Sequence, residues 1–79
     1  MGLTERRLIL HFLSKKGVMK KAELARLLYE FDNKCYPLSY EWLHFGENVW
    51  SNELQNDLFF LKDEGLIELE GENVQIVKG

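Results

Sequence analysis

The sequence predicts an α+β fold, mainly α: three helices, a C-terminal two-stranded hairpin, and a long aromatic-rich connection between the second and third helices. Three observations predict it. Apolar residues recur at helical spacing in three separate stretches, two short runs near the C-terminus alternate apolar with polar residues, and glycines follow the first and third helical stretches.

Thr4 can cap the first helix, whose apolar side is made by Leu8 and Phe12 with Ile9 and Leu13 flanking them. Lys15 and Lys16 fall near its C-terminal end, where the helix dipole favours cations, and Gly17 stops it. Val18 and Met19 form a short apolar step, expected as a brief strand. The second helix is expected over about residues 21 to 31, because Leu24, Leu27, Leu28 and Phe31 stand at i, i+3, i+4 and i+7. Asp32 and Asn33 are expected to end it.

Residues 33 to 50 are longer than the usual turn between paired helices. They carry Tyr36, Tyr40, Trp42, Phe45 and Trp50 with Pro37 and Gly46, a content too aromatic for a solvated linker. An ordered lobe is expected, with an extended piece near residues 39 to 44.

Ser51 can cap the third helix, Glu53 lies in its first turn, and Gly65 supplies the left-handed residue that ends it. Leu54, Leu58 and Leu61 form one apolar stripe. Beyond Gly65, Ile67 and Leu69 alternate with Glu68 and Glu70, and Val74 and Ile76 alternate with Gln75. With Gly71 and Glu72 as the central turn residues, Leu69 faces Val74 and Ile67 faces Ile76 on the core side, while Glu68 and Gln75 pair on the solvent side. A slip of one residue would reverse every side chain.

Composition narrows the function classes. A chain of 79 residues, 46% hydrophobic and 29% charged, makes one domain (1–79) whose core is only just sufficient. A homodimer or a partner would therefore help it, with Trp42, Phe45, Phe59 and Phe60 as candidate interface residues. The single Cys35 excludes an internal disulfide framework, and no stretch reaches membrane-spanning length. With no signal-like N-terminal segment, a cytoplasmic protein without a membrane partner is expected. The net charge of -3 is unevenly spread. Residues 1 to 34 hold eight Lys/Arg against four acids, whereas residues 35 to 79 hold two against nine. That polarity bears on partner choice.

The stretch L-x-x-L-K-D-E-G-L-I-E over residues 58 to 68, in the order helix, short strand, helix, connection, helix, hairpin, resembles the winged-helix (winged helix-turn-helix) superfamily over essentially the whole chain. A narrower similarity links it to Panacea-type antitoxin domains. Phe45 and Gly46, Trp50 and Ser51, then Gly65, Leu66 and Ile67 stand in that family's order, although its proline is missing and Glu47, Asn48 and Val49 intervene.

The resemblance implies that the third helix enters the major groove of double-stranded DNA. At about 100° per residue, Asn52, Asn56 and Asp63 lie opposite the leucine stripe, with Glu53, Gln55, Phe59 and Phe60 at the flanks. Asn52, Gln55 and Asn56 are the candidate adenine readers, and Lys20, Lys21 and Arg26, supported by Arg6 and Arg7, the candidate phosphate contacts. Against this, the third helix has no arginine, and residues 70 to 73 put Glu70 and Glu72 at the wing tip. The function expected is a small DNA-binding transcription regulator acting as a homodimer; the alternative is a protein-interaction module (antitoxin, anti-activator or assembly adaptor) whose acidic half meets a basic protein partner. Phe59 and Phe60 are adjacent, so at least one must leave the stripe, and the aromatic connection is expected to fold back over it. His11, His44, Cys35 and Asp32 lack zinc-ligand spacing, and no catalytic or phosphate-loop motif is present. A non-enzyme without a cofactor is expected.

Overall fold

Three amphipathic helices close on one apolar core against a small antiparallel sheet. The computed structural model describes residues 3–35 and 37–77, so Tyr36 of the sequence reading lies outside the described residues. The order is α1 (Leu3–Lys16), β1 (Val18–Lys20), α2 (Lys21–Lys34), β2 (Leu43–Phe45), β3 (Asn48–Trp50), α3 (Asn52–Asp63), β4 (Ile67–Glu70) and β5 (Asn73–Ile76). The α+β, mainly helical class follows directly.

In α1 the buried row is Glu5, Ile9 and Leu13, at successive i, i+4 positions, while Leu8 and Phe12 are only half-buried. A carboxylate in that row hid its extent from the apolar pattern. The helix already includes Thr4, which therefore lies in the first turn and is not its cap. Gly17 ends it with φ of 84°, its N–H bonded to the Leu13 carbonyl at 2.6 Å. The second helix does not stop at Asp32 and Asn33 but runs on to Lys34. Both side chains are satisfied within a helical backbone: Asn33 Nδ2 donates to the Tyr29 carbonyl at 3.0 Å, and Asp32 turns its carboxylate to the connection. Leu24, Ala25 and Leu28 are buried, with Leu27 and Phe31 half-buried beside them.

Both ends of α3 are as the sequence reads. Ser51 accepts the Leu54 N–H at 3.3 Å. At the other end Gly65 adopts φ of 77°, its N–H reaches the Lys62 carbonyl at 3.0 Å, and the Leu66 N–H reaches Leu61 at 3.0 Å. That double closure is a Schellman motif. Leu54, Leu58 and Leu61 are buried, each burial contributing on the order of 2 kcal/mol.

The hairpin register is also as expected: Ile67 pairs with Ile76, Glu68 with Gln75 and Leu69 with Val74. Ile67 and Val74 are buried, Leu69 and Ile76 half-buried against the core, and Glu68 and Gln75 exposed. The sheet has a third strand, however, in the order β1-β5-β4. Met19, 2% exposed, pairs with Val74, and the Ile76 N–H bonds the Gly17 carbonyl at 3.0 Å. A three-residue strand carries too little periodicity to announce that pairing.

The connection contains a second hairpin of its own. Leu43 pairs with Trp50, His44 with Val49 and Phe45 with Asn48, about a turn where Gly46 has φ of 64°. Of the piece expected to be extended, only Leu43 and His44 lie in a strand. Strand β3 lies against α2.

Candidate functional site

The outward face of α3 carries the residues that the sequence projection places there. Asn52 and Asn56 are exposed, Asp63 is exposed, and Gln55 is half-buried at the flank. Phe59 is 49% exposed and Phe60 43%, so the connection does not cover them. It is drawn instead toward carboxylates on all three helices. Arg6 covers part of Phe60, with its guanidinium carbon 3.7 Å from the ring centroid. Phe45, at the turn of the β2–β3 hairpin, is 60% exposed. Trp42 is different: half-buried, its Nε1 donates to Asp32 Oδ2 at 2.8 Å, and its ring meets Tyr29 and Tyr40 edge-on. Of the four aromatics read as interface residues, three face outward and Trp42 packs within the chain.

Lys20 and Arg26 are exposed and Lys21 is half-buried. Lys20 is the residue before α2 and supplies no side-chain cap to it. The Lys21 N–H bonds the Glu72 carbonyl at 2.7 Å, which brings the acidic turn of the C-terminal hairpin against the start of α2. Lys21, Phe45, Trp50, Gln55 and Glu72 line one shallow groove between these elements. Arg26 lies 3.5 Å from Glu30 one helical turn on, and Lys16 pairs with Glu23, both on exposed surface.

A buried polar network that sequence reasoning missed lies under the connection. Asp57, 5% exposed, accepts the Tyr40 hydroxyl at 2.6 Å and Arg6 Nε at 3.0 Å. Its position was a signal: three residues after Leu54 and one before Leu58, it falls on the inner side of α3 and requires partners there. Burial, the bond to Asp57 and the nearby acids push the Tyr40 phenol far above its ordinary range. Glu5, 4% exposed, accepts the Ser39 N–H and hydroxyl, both at 2.8 Å, on Oε2. Its Oε1 has no partner among the described residues. Burial alone would raise the Glu5 carboxyl, but the Ser39 donors and its own backbone N–H outweigh that and hold it below the usual range. Exposed Glu53 is likewise held low, first by the Ser51 hydroxyl at 2.8 Å and then by the Glu41 N–H at 3.2 Å.

Among the described residues no group of three or more His, Cys, Asp and Glu could hold a metal ion. His11 and His44 instead make ring contacts with Phe12 and Tyr29, centroids 6.0 and 5.6 Å apart, and Cys35 is exposed. No helix among the described residues is long and apolar enough to cross a membrane. Compared with known proteins, the chain matches no family model, no curated protein and no solved structure.

Proposed function

We propose that the chain is a protein-recognition domain of winged-helix type, which meets a basic partner through the outward face of α3, the β2–β3 hairpin and the turn of the C-terminal hairpin. The order of helices and strands, with β1 joining the C-terminal hairpin at β5, supports the winged-helix assignment. One observation carries the function: Phe45, Phe59 and Phe60 are each exposed, and over residues 43 to 72 seven exposed acids stand against Lys62, with Arg6 reaching the Phe60 ring from α1. Residues 35 to 61 contain no lysine or arginine, and Glu47, Glu53, Asp63, Glu70 and Glu72 are all exposed. Large aromatics supply desolvated anchors, and a rim of one sign selects the opposite sign and steers its approach. A second copy would set acid against acid, so the same surface favours a different, basic partner over a homodimer.

A DNA-binding regulator is the second reading, favoured by Lys20 and Lys21 at the start of α2, which has no side-chain cap, and by the exposed amides of Asn52 and Asn56. Phosphate attraction dominates such binding. Glu72 beside Lys21 and the lack of arginine in α3 both work against it.

The protein reading is tested with a synthetic amphipathic peptide that alternates lysine with apolar residues, titrated by calorimetry. Binding is expected, with Phe59→Ala and the double change Glu70→Lys, Glu72→Lys each weakening it at least tenfold. Absence of binding, or binding indifferent to all three changes, overturns the reading.

A further inference from the structure

Residues 38 to 42 lie outside any helix or strand, so their polar groups have no ladder to join. Carboxylates take that place. The Leu38 N–H donates to Asp32 Oδ1 at 2.6 Å, the Ser39 N–H and hydroxyl to Glu5 Oε2, the Tyr40 hydroxyl to Asp57 Oδ2, the Glu41 N–H to Glu53 Oε1 at 3.2 Å, and Trp42 Nε1 to Asp32 Oδ2. Five consecutive residues thus each give a donor to an acidic side chain, and the acceptors come from α1, α2 and α3.

We propose that this segment is an acid-releasable strap, which opens as one unit while the helices and the three-stranded sheet stay folded. Protonation removes the charge that strengthens each bond and turns a pure acceptor into a group with its own donor. The stitches are shared: Asp32 holds both ends of the strap, and Asp57 holds Tyr40 together with Arg6, so loss of one carboxylate loosens more than one position. The charged and titratable groups that face the strap are Glu5 and Arg6 from α1, Asp32 and Tyr29 from α2, and Glu53 and Asp57 from α3. Tyr40 and Glu41 are its own. His44 of the hairpin meets Tyr29 edge-on.

Among the described residues, Tyr40 is the one buried apolar residue of the strap, with Leu38 and Trp42 packed at the core's edge; Ile9, Leu13, Leu28, Leu58 and Val74 all come from other elements. The rest of the core can therefore outlast it. Glu5 and Glu53 are held below the ordinary 4.5, so their contribution is complete above that pH and fades as pH falls through their lowered values. The strap leads directly into the hairpin that carries Phe45, and its release would free that hairpin at its N-terminal end.

The test is an acid titration followed by NMR amide exchange at Leu38, Ser39 and Glu41, by Trp42 emission in a Trp50→Phe background, and by far-ultraviolet dichroism for the helices. The three amides are expected to lose protection together with a single midpoint on the acid side of neutrality, with the Trp42 shift coinciding and helicity retained. Loss at separate pH values, or only together with the helices, overturns the proposal. At neutral pH, Asp32→Asn should shift Trp42 emission toward that of an exposed indole with helicity unchanged. An unchanged emission would count equally against it, and if that variant does not fold, the titration of the parent chain still decides.

Discussion

The Tyr40 hydroxyl donates to Asp57 across 2.6 Å, joining the middle of the connection to the inner side of α3. Both residues are buried, so each makes the other tolerable in a low-dielectric setting. Tyr40→Phe keeps the ring and removes the donor, and should cost about 1–2 kcal/mol. Asp57→Ala leaves the phenol unpaired and should cost about 2–3 kcal/mol. Arg6 is partly exposed and adds little to that figure. Urea unfolding of the two variants checks both values.

Stability should fall at both ends of the pH scale, for opposite reasons. The Glu5 carboxyl is lowered in the folded state, so its contribution is present above pH 4.5 and is lost as pH falls through the folded value. The Tyr40 phenol is raised, so its contribution is present below pH 10.0 and is lost as pH climbs beyond it, where the unfolded chain ionises first. Thermal melts across pH should show Glu5→Gln flattening the acid limb and Tyr40→Phe the alkaline one.

The two ends of α3 can be weakened independently. Ser51→Ala removes the acceptor for the Leu54 N–H and should cost about 1 kcal/mol. Gly65→Ala forces a Cβ onto φ of 77° and should cost about 1 kcal/mol as well. Because these sites lie at opposite ends of the helix, chemical denaturation of the double variant should give nearly the sum.

Exposed and buried residues of the same helix should separate function from folding. Leu58→Ala should cost about 2–5 kcal/mol, whereas Phe59→Ala should change stability by no more than about 0.5 kcal/mol. If unfolding midpoints instead show Phe59→Ala to be as harmful as Leu58→Ala, that ring is part of the core.

These contrasts also explain what the sequence made legible. Ser51, Gly65 and the alternation from Ile67 to Ile76 are local signals, each interpretable from a few neighbours, and the structure agrees with them. The pairing of β1 with β5 joins residues far apart in the chain and has no local signature. The same holds for Glu5 with Ser39 and Arg6 with Asp57, whose partners meet only once the helices have packed. Asp32 and Asn33 misled because asparagine after an apolar row reads as a helix stop and an acid is disfavoured in a helix's last turn. Here the Asp32 carboxylate serves the strap while its backbone stays helical. The outward residues Asn52, Asn56 and Phe59 were legible from the helical period.

Titration of the protein against duplex DNA over a salt series, starting at low ionic strength where phosphate attraction is strongest, tests the central claim most directly. The proposed recognition of a basic protein predicts no saturable binding at any salt concentration. Saturable binding that falls steeply with salt would contradict it, provided that charge removal at Lys20, Lys21 and Arg26 weakens every sequence alike and Asn52→Ala or Asn56→Ala costs about 1–3 kcal/mol on a preferred site.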